Sequence, residues 1–291
     1  MTSTICKLIL FKGVSSCNLR VSPLDFVLGF SANQYAILII VLNIFFFGLV
    51  VKFYYATNEN DPEKISDLIL AIVIGFLAFI GSGLINLLLY LSYSNDIQAA
   101  FYRTIELSPV QIVLTIPLTE EISKDIFLYL LFRLKRDRFD SLFDGLVYGA
   151  LLGSGFGLAE NFLFTIRTIH SSGYTTALIV TLIRGSLMIV GHPLFSGLFG
   201  YGLVYSTIGR KSALFRYFFY ALMSHFFWNF VSSSPFLFPG VNFYIILTII
   251  LILALSQLVY VTYLITKVME IEKELIRRGY YNNKRKYRIF N

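Results

Sequence analysis

The sequence predicts an all-α fold, a polytopic transmembrane helical bundle of about seven spans, and three observations carry that reading. Apolar residues make up 56% of the chain and charged ones only 14%, with a mean hydropathy of +0.71. Soluble domains are about one quarter charged. Stretches such as QYAILIIVLNIFFFGLVV and NFYIILTIILILALSQLVYVTYLI carry no charge over roughly the 20 residues needed to cross about 30 Å of hydrocarbon. Finally, the cationic residues are segregated between alternate loops, as a membrane-inserted chain requires.

The expected spans lie near 34–56, 66–92, 109–132, 143–167, 176–205, 212–233 and 241–266. Residues 1–33 form an N-terminal extracytoplasmic segment and 267–291 a basic cytoplasmic tail, which flank the bundle of 34–266. The fifth window is longer than a perpendicular crossing needs, so it is tilted, broken or joined to an interfacial piece. With the N-terminus outside, Lys and Arg number 2, 4, 3 and 8 at the first, third and fifth loops and the tail, 17 in all. The opposite side holds 3, 1, 1 and 0, which is 5, and Lys124 and Arg184 within helices complete the 24. That asymmetry places the C-terminus in the cytoplasm. It also assigns the net charge of +7 to the lipid bilayer's inner face rather than to nucleic acid. Cys6 and Cys17 both fall in the outer segment, where one disulfide is open to them but not demanded. The VSSC stretch resembles a lipoprotein box, yet Lys7 and Lys12 interrupt the apolar region before it.

An ionisable group inside a membrane is costly, so it faces the bundle interior and has a partner. The third span reads PVQIVLTIPLTEEISKDIFLYLLF, with Glu120, Glu121 and Lys124 near its middle. Lys124 stands four and three residues from the two carboxylates, within reach of either on one helical face. Either one glutamate is then neutralised while the other is available as a base, or the group is a structural ion pair that pins helix packing. In the fourth span Gly145, Gly149, Gly153 and Gly157 recur every four residues, a bare ridge for close helix packing. Asn161 extends that ridge, with Glu160 beside it. The fifth span holds His192 before Pro193, which forfeits a helical hydrogen bond and opens room for a site. Ser196 and Gly200 follow His192 at four-residue steps. In the sixth, MSHFFWNF puts His225 and Asn229 on one face beside Trp228. His170 lies in an expected loop and takes no role.

At about 1.5 Å per residue, Glu120, Glu160 and His225 lie roughly 17, 10 and 12 Å below the outer boundary. His192 comes out deeper, at roughly 24 Å, in the over-long window. Four helices thus bring glutamates, two histidines and an asparagine towards one layer. With no obvious Ser or Cys nucleophile, the set suits activation of water. In one version His192, His225 and Glu160 hold Zn²⁺ with a position left for water, and Glu120 or Glu121 is the base. In the other there is no metal: a glutamate and His192 activate water, and His225 and Asn229 stabilise the oxyanion.

The segments TEEISK, FDGLVYGALLGSGFGLAEN, GHPLFSGLFGYG and SHFFWN resemble the four motifs of the PrsW-type intramembrane proteases. That family is grouped in a superfamily with CAAX prenyl endoproteases and bacteriocin-processing proteins. The likeness covers about residues 109–231. It implies an endopeptidase that cuts a membrane-anchored protein substrate, from the extracytoplasmic side of a prokaryotic plasma membrane. By this resemblance Glu120 and Glu121 match the paired glutamates and Lys124 the basic residue. Glu160 with Asn161 matches the second motif, His192 the third, and His225 with Asn229 the fourth. Phe156-x-x-x-Glu160 stands where the CAAX branch has Phe-x-x-x-His, and Phe164 where many relatives have tyrosine. Two other classes stay open at this point. One is a non-catalytic scaffold, as in a related γ-secretase subunit; the other is a proton-coupled transporter, although the halves show no inverted repeat. Substrate and oligomeric state are not readable from the sequence.

Overall fold

The structure, a computed structural model, describes residues 31–56, 63–91, 110–187, 191–237, 240 and 242–279. Cys6, Cys17 and the end of the basic tail lie outside the described residues. Among those described there is no strand, and the α-helices follow the expected spans closely. They are α1 (Ala32–Ala56), α2 (Ile65–Leu91), α3 (Ile116–Leu134), α4 (Leu142–Ser172), α5 (Tyr174–Leu187), α6 (His192–Thr207), α7 (Ser212–Leu237) and α8 (Phe243–Arg277). A π-helical turn, Gln111–Thr115, leads into α3.

Among the described residues five stretches are long and apolar enough to cross a membrane: Ala32–Ala56, Ile65–Leu89, Leu142–Ser172, Tyr174–Thr207 and Tyr244–Arg277. The other two expected spans correspond to α3 and α7. Helix α3 carries Glu120, Glu121, Lys124 and Asp125 in six residues, which removes it from any apolarity-based selection. Outward faces of α1, α2 and α8 expose Ile40, Ile44, Val73, Ile80, Ile252 and Leu255. Water would penalise so continuous an apolar surface, whereas lipid does not.

Helix α4 is the axis of the molecule. It starts with a reciprocal cap: Ser141 Oγ accepts from the Asp144 amide, and the Asp144 carboxylate accepts from the Ser141 amide. From Leu142 to Leu158 every residue is buried. It packs on α6 and α2 most extensively, and also on α5 and α1. The glycine ridge is why α6 comes so close. A Cβ on Gly145 would run into the Gly200 carbonyl, on Gly149 into that of Ser196, and on Gly153 into that of His192. The second face repeats this against α2, where Gly75 meets the Leu152 carbonyl and Gly155 that of Ile72. Backbone-to-backbone approach of this kind is how small residues draw helices together when lipid supplies no hydrophobic drive.

Two boundaries differ from the sequence reading. Helix α4 continues past the apolar limit at Arg167, so His170 is in its last turn rather than in a loop. Gly173, at φ +83°, ends it. The over-long fifth window is two helices: α5 ends at Leu187, and α6 begins at His192 behind Gly191, whose φ −84° and ψ −115° are not helical. Pro193 sits in the first turn of α6, where its missing amide costs nothing.

Candidate active site

The break before α6 sets His192 at the head of a helix, against Gly157 of α4, with the backbone of Gly153 beneath it. Its ring lies 4.9 Å from Phe156 and 5.1 Å from the His225 ring of α7. Phe195 stacks on His225 at 5.0 Å. Around this histidine pair the polar residues of α3 and α4 close in.

Lys124 is buried completely, and its Nζ donates to Glu121 Oε1 at 2.5 Å while standing 3.1 Å from His192 Nδ1. The same Glu121 oxygen meets His225 Nδ1 at 2.5 Å. On the far side of that ring, His225 Nε2 lies 3.7 Å from Glu120 Oε2, a buried atom with no hydrogen-bond partner among the described residues. His192 Nε2 contacts Glu160 Oε2 at 2.9 Å. Arg184 of α5 reaches that oxygen through Nη2 at 2.7 Å and donates from Nε to Asn161 Oδ1 at 3.0 Å. Its guanidinium lies 3.8 Å from the ring centre of Phe164. A phenylalanine at 164, where a tyrosine was expected, therefore acts as a platform for a cation.

One ligand atom from each of Glu120, His192 and His225 falls within 4.8 Å of the others, a group able to hold a metal ion. The donor chemistry suits zinc: two imidazoles and a carboxylate. Each histidine also meets a different carboxylate through one ring nitrogen, the arrangement that fixes tautomer and ring angle in zinc sites. The other nitrogen of His225 faces Glu120, while that of His192 faces Lys124 Nζ, which a bound metal would have to displace. The carboxylate whose atom falls within this group is Glu120; Glu160, the carboxylate expected from the sequence, meets both His192 and Arg184 through Oε2.

The expected residues converge except in one respect. Asn229 points its Nδ2 at the Ile112 carbonyl, 3.0 Å away, and so ties α7 to the π-helical turn. Such turns recur at functional sites. Ser196 is fully buried beneath the ridge. Arg184 is a site residue that the expected set does not include, although an arginine in an otherwise uncharged span calls for a partner. A second acidic group, Glu63, Asp140 and Asp144, also lies within 4.8 Å, about 24 Å along α4 from Glu160. There Tyr148 Oη donates to Glu63 at 2.8 Å.

The profile of the PrsW family intramembrane metalloproteases matches residues 63–255, well over half of the chain. The chain belongs to the PrsW family. No curated protein and no solved structure matches it. The match reaches beyond the four motifs to include α2 and the first part of α8. An intramembrane protease of this family acts on a membrane protein within a lipid bilayer, and here the chain is an integral membrane protein with a metal-compatible donor set in its interior.

Proposed function

We propose that this PrsW-family protein is an intramembrane endopeptidase that hydrolyses a peptide bond of a membrane-anchored substrate at the Glu120–His192–His225 group. The observation that carries this reading is that grouping, together with the separate carboxylate that each histidine meets. The chain crosses the membrane seven times, with α3 and α7 as the polar spans, the N-terminus outside and the C-terminus in the cytoplasm. The plasma membrane of a prokaryote is its setting.

Glu120, His192 and His225 are the residues that would hold Zn²⁺. When bound, the metal supplies Lewis-acid activation of water and of the scissile carbonyl. Glu121 orients His225, and Glu160 orients His192. Lys124 is held by Glu121 and presents a fixed positive charge where the attacked carbonyl gains negative charge, a preorganised stabilisation that costs no reorganisation. Asn229 fixes the entry to α3 through Ile112, a supporting part in place of the oxyanion role first expected of it. The packed interior around Phe156 and Phe195 keeps bulk water out.

A metal-free version has one observation in its favour: a lysine nitrogen stands 3.1 Å from His192 Nδ1. There Glu120, whose Oε2 accepts no hydrogen bond among the described residues, takes the proton from water. Purified protein in liposomes, given membrane-anchored test substrates, separates these readings. Cleavage that vanishes in folded Glu120→Ala, His192→Ala and His225→Ala supports the endopeptidase. Loss on strong chelation, reversed by Zn²⁺, selects the metal; indifference to the chelator selects Glu120 as base. Protein inert towards its native membrane partners would instead indicate a scaffold.

A further inference from the structure

Helix α5 carries a single charge, Arg184, in YTTALIVTLIRGSL. An arginine in such a span is costly to bury, and its fork here grips one face of α4: Glu160 at 2.7 Å, Asn161 at 3.0 Å and the Phe164 ring at 3.8 Å. Holding α5 against α4 would need only one of these contacts. The oxygen that Arg184 holds, Glu160 Oε2, is also the one His192 Nε2 meets at 2.9 Å.

His192 needs outside help to hold its ring. It is the first residue of α6, and its N-cap, Gly191, offers no side-chain cap. Its imidazole is therefore set by contacts across the bundle: Phe156, Gly157 and His225 confine the ring, and Glu160 and Lys124 meet its two nitrogens. The other histidine shows the same logic. His225 meets Glu121, and Glu121 is held by the cation Lys124. Each histidine thus faces a carboxylate whose position is set by a buried or half-buried cation, Lys124 in one case and Arg184 in the other.

We propose that Arg184 is a positioning residue for the active site, acting through Glu160 on the orientation of His192, and not merely a tie between α5 and α4. The proposal rests on the endopeptidase reading above. The planar fork matters: a lysine offers one point charge and cannot bond Glu160 and Asn161 side by side while lying flat on Phe164. Partners of metal-binding histidines change metal affinity or activity by about 10–100-fold when removed.

The test uses the full chain in detergent and four variants: Arg184→Gln, Arg184→Lys, Glu160→Gln and the double Glu160→Gln/Arg184→Gln. Zinc affinity is measured by competition with a chromophoric chelator, alongside kcat and KM on a membrane-anchored substrate. Arg184→Gln is expected to weaken zinc binding by about 10–100-fold and to lower kcat with KM little changed. Arg184→Lys should recover only part of the loss. The double variant should be no worse than Glu160→Gln alone, because Arg184 acts through the carboxylate charge that Glu160→Gln has already removed. It also leaves no unpaired charge, so it keeps the test open where Arg184→Gln fails to fold. Folded Arg184→Gln with wild-type zinc affinity and kcat overturns the proposal. So do losses that multiply in the double variant, since Arg184 would then act independently of Glu160. Wild type that neither takes up zinc nor cleaves any substrate sinks the endopeptidase reading itself, and this proposal with it.

Discussion

Gly157→Ala tests the placement of His192 with the smallest available change. A Cβ at Gly157 would lie 3.2 Å from His192 Cδ2, with the ring's Cγ and the Cβ at 3.8 Å. Carbon atoms rest at about 3.5–4.0 Å, so the ring must yield by about 0.3–0.8 Å. It has little freedom to do so. Its two nitrogens meet Lys124 at 3.1 Å and Glu160 at 2.9 Å, and Phe156 covers one side at 4.9 Å. A misplacement of about 1 Å costs about 100-fold in rate, so half of that costs about 10-fold. The fold meanwhile gains, because alanine is favoured over glycine inside a helix by about 1 kcal/mol. Gly157→Ala should therefore unfold at the same temperature as wild type or slightly higher, yet lose about 10-fold in kcat/KM on a membrane-anchored substrate. Full activity in the folded variant would refute the idea that the ring of His192 must be held where it is.

Gly149→Ala should behave in the opposite way. Its methyl would press on the Ser196 carbonyl and on Gly197 Cα, which are backbone and cannot step aside. The α4–α6 pair must separate, with an expected loss of about 1–3 kcal/mol or more in thermal or denaturant unfolding. Glu121→Gln removes the charge that holds Lys124 and leaves only a neutral amide oxygen to be shared between Lys124 and His225. Activity should fall by about 10–100-fold, and the stranded buried lysine should cost about 3–5 kcal/mol. Pairing it with Lys124→Met should restore stability but not activity, as read from unfolding and cleavage together.

Much of this architecture was legible because membrane solvent imposes strict rules on sequence. The uncharged runs gave α1, α2 and α8, and the four-residue glycine period announced a close partner for α4. Spacing along one helix places Glu121, Lys124 and Glu120 on a face, and His225 with Asn229 on another. It does not say which faces meet. Glu160 and Glu120 both end beside a histidine: Glu160 Oε2 meets His192 and Arg184, and Glu120 falls within the group of His192 and His225. The depth of His192 was the visible anomaly. It dissolves once the fifth window is two helices, since a residue at the head of α6 need not lie where an unbroken helix would carry it. Asn229 could not be placed from sequence, because its partner is a carbonyl in a π-helical turn.

The concentration of charge in α3 has a bearing on how the protein is made. Glu120, Glu121, Lys124 and Asp125 occupy six consecutive positions, and each charged group at a span's centre opposes insertion by about 2.5–3.5 kcal/mol. On the proposed topology, a nascent α3 leaving the translocon by itself would face a penalty on the order of 10 kcal/mol. Its lysine finds Glu121 within the same helix, but the histidines arrive only with α6 and α7. Biogenesis is therefore expected to hold α3 back from lipid until later segments have been synthesised, so that the proposed hydrolytic centre and the membrane integration of the chain are completed in one cooperative event.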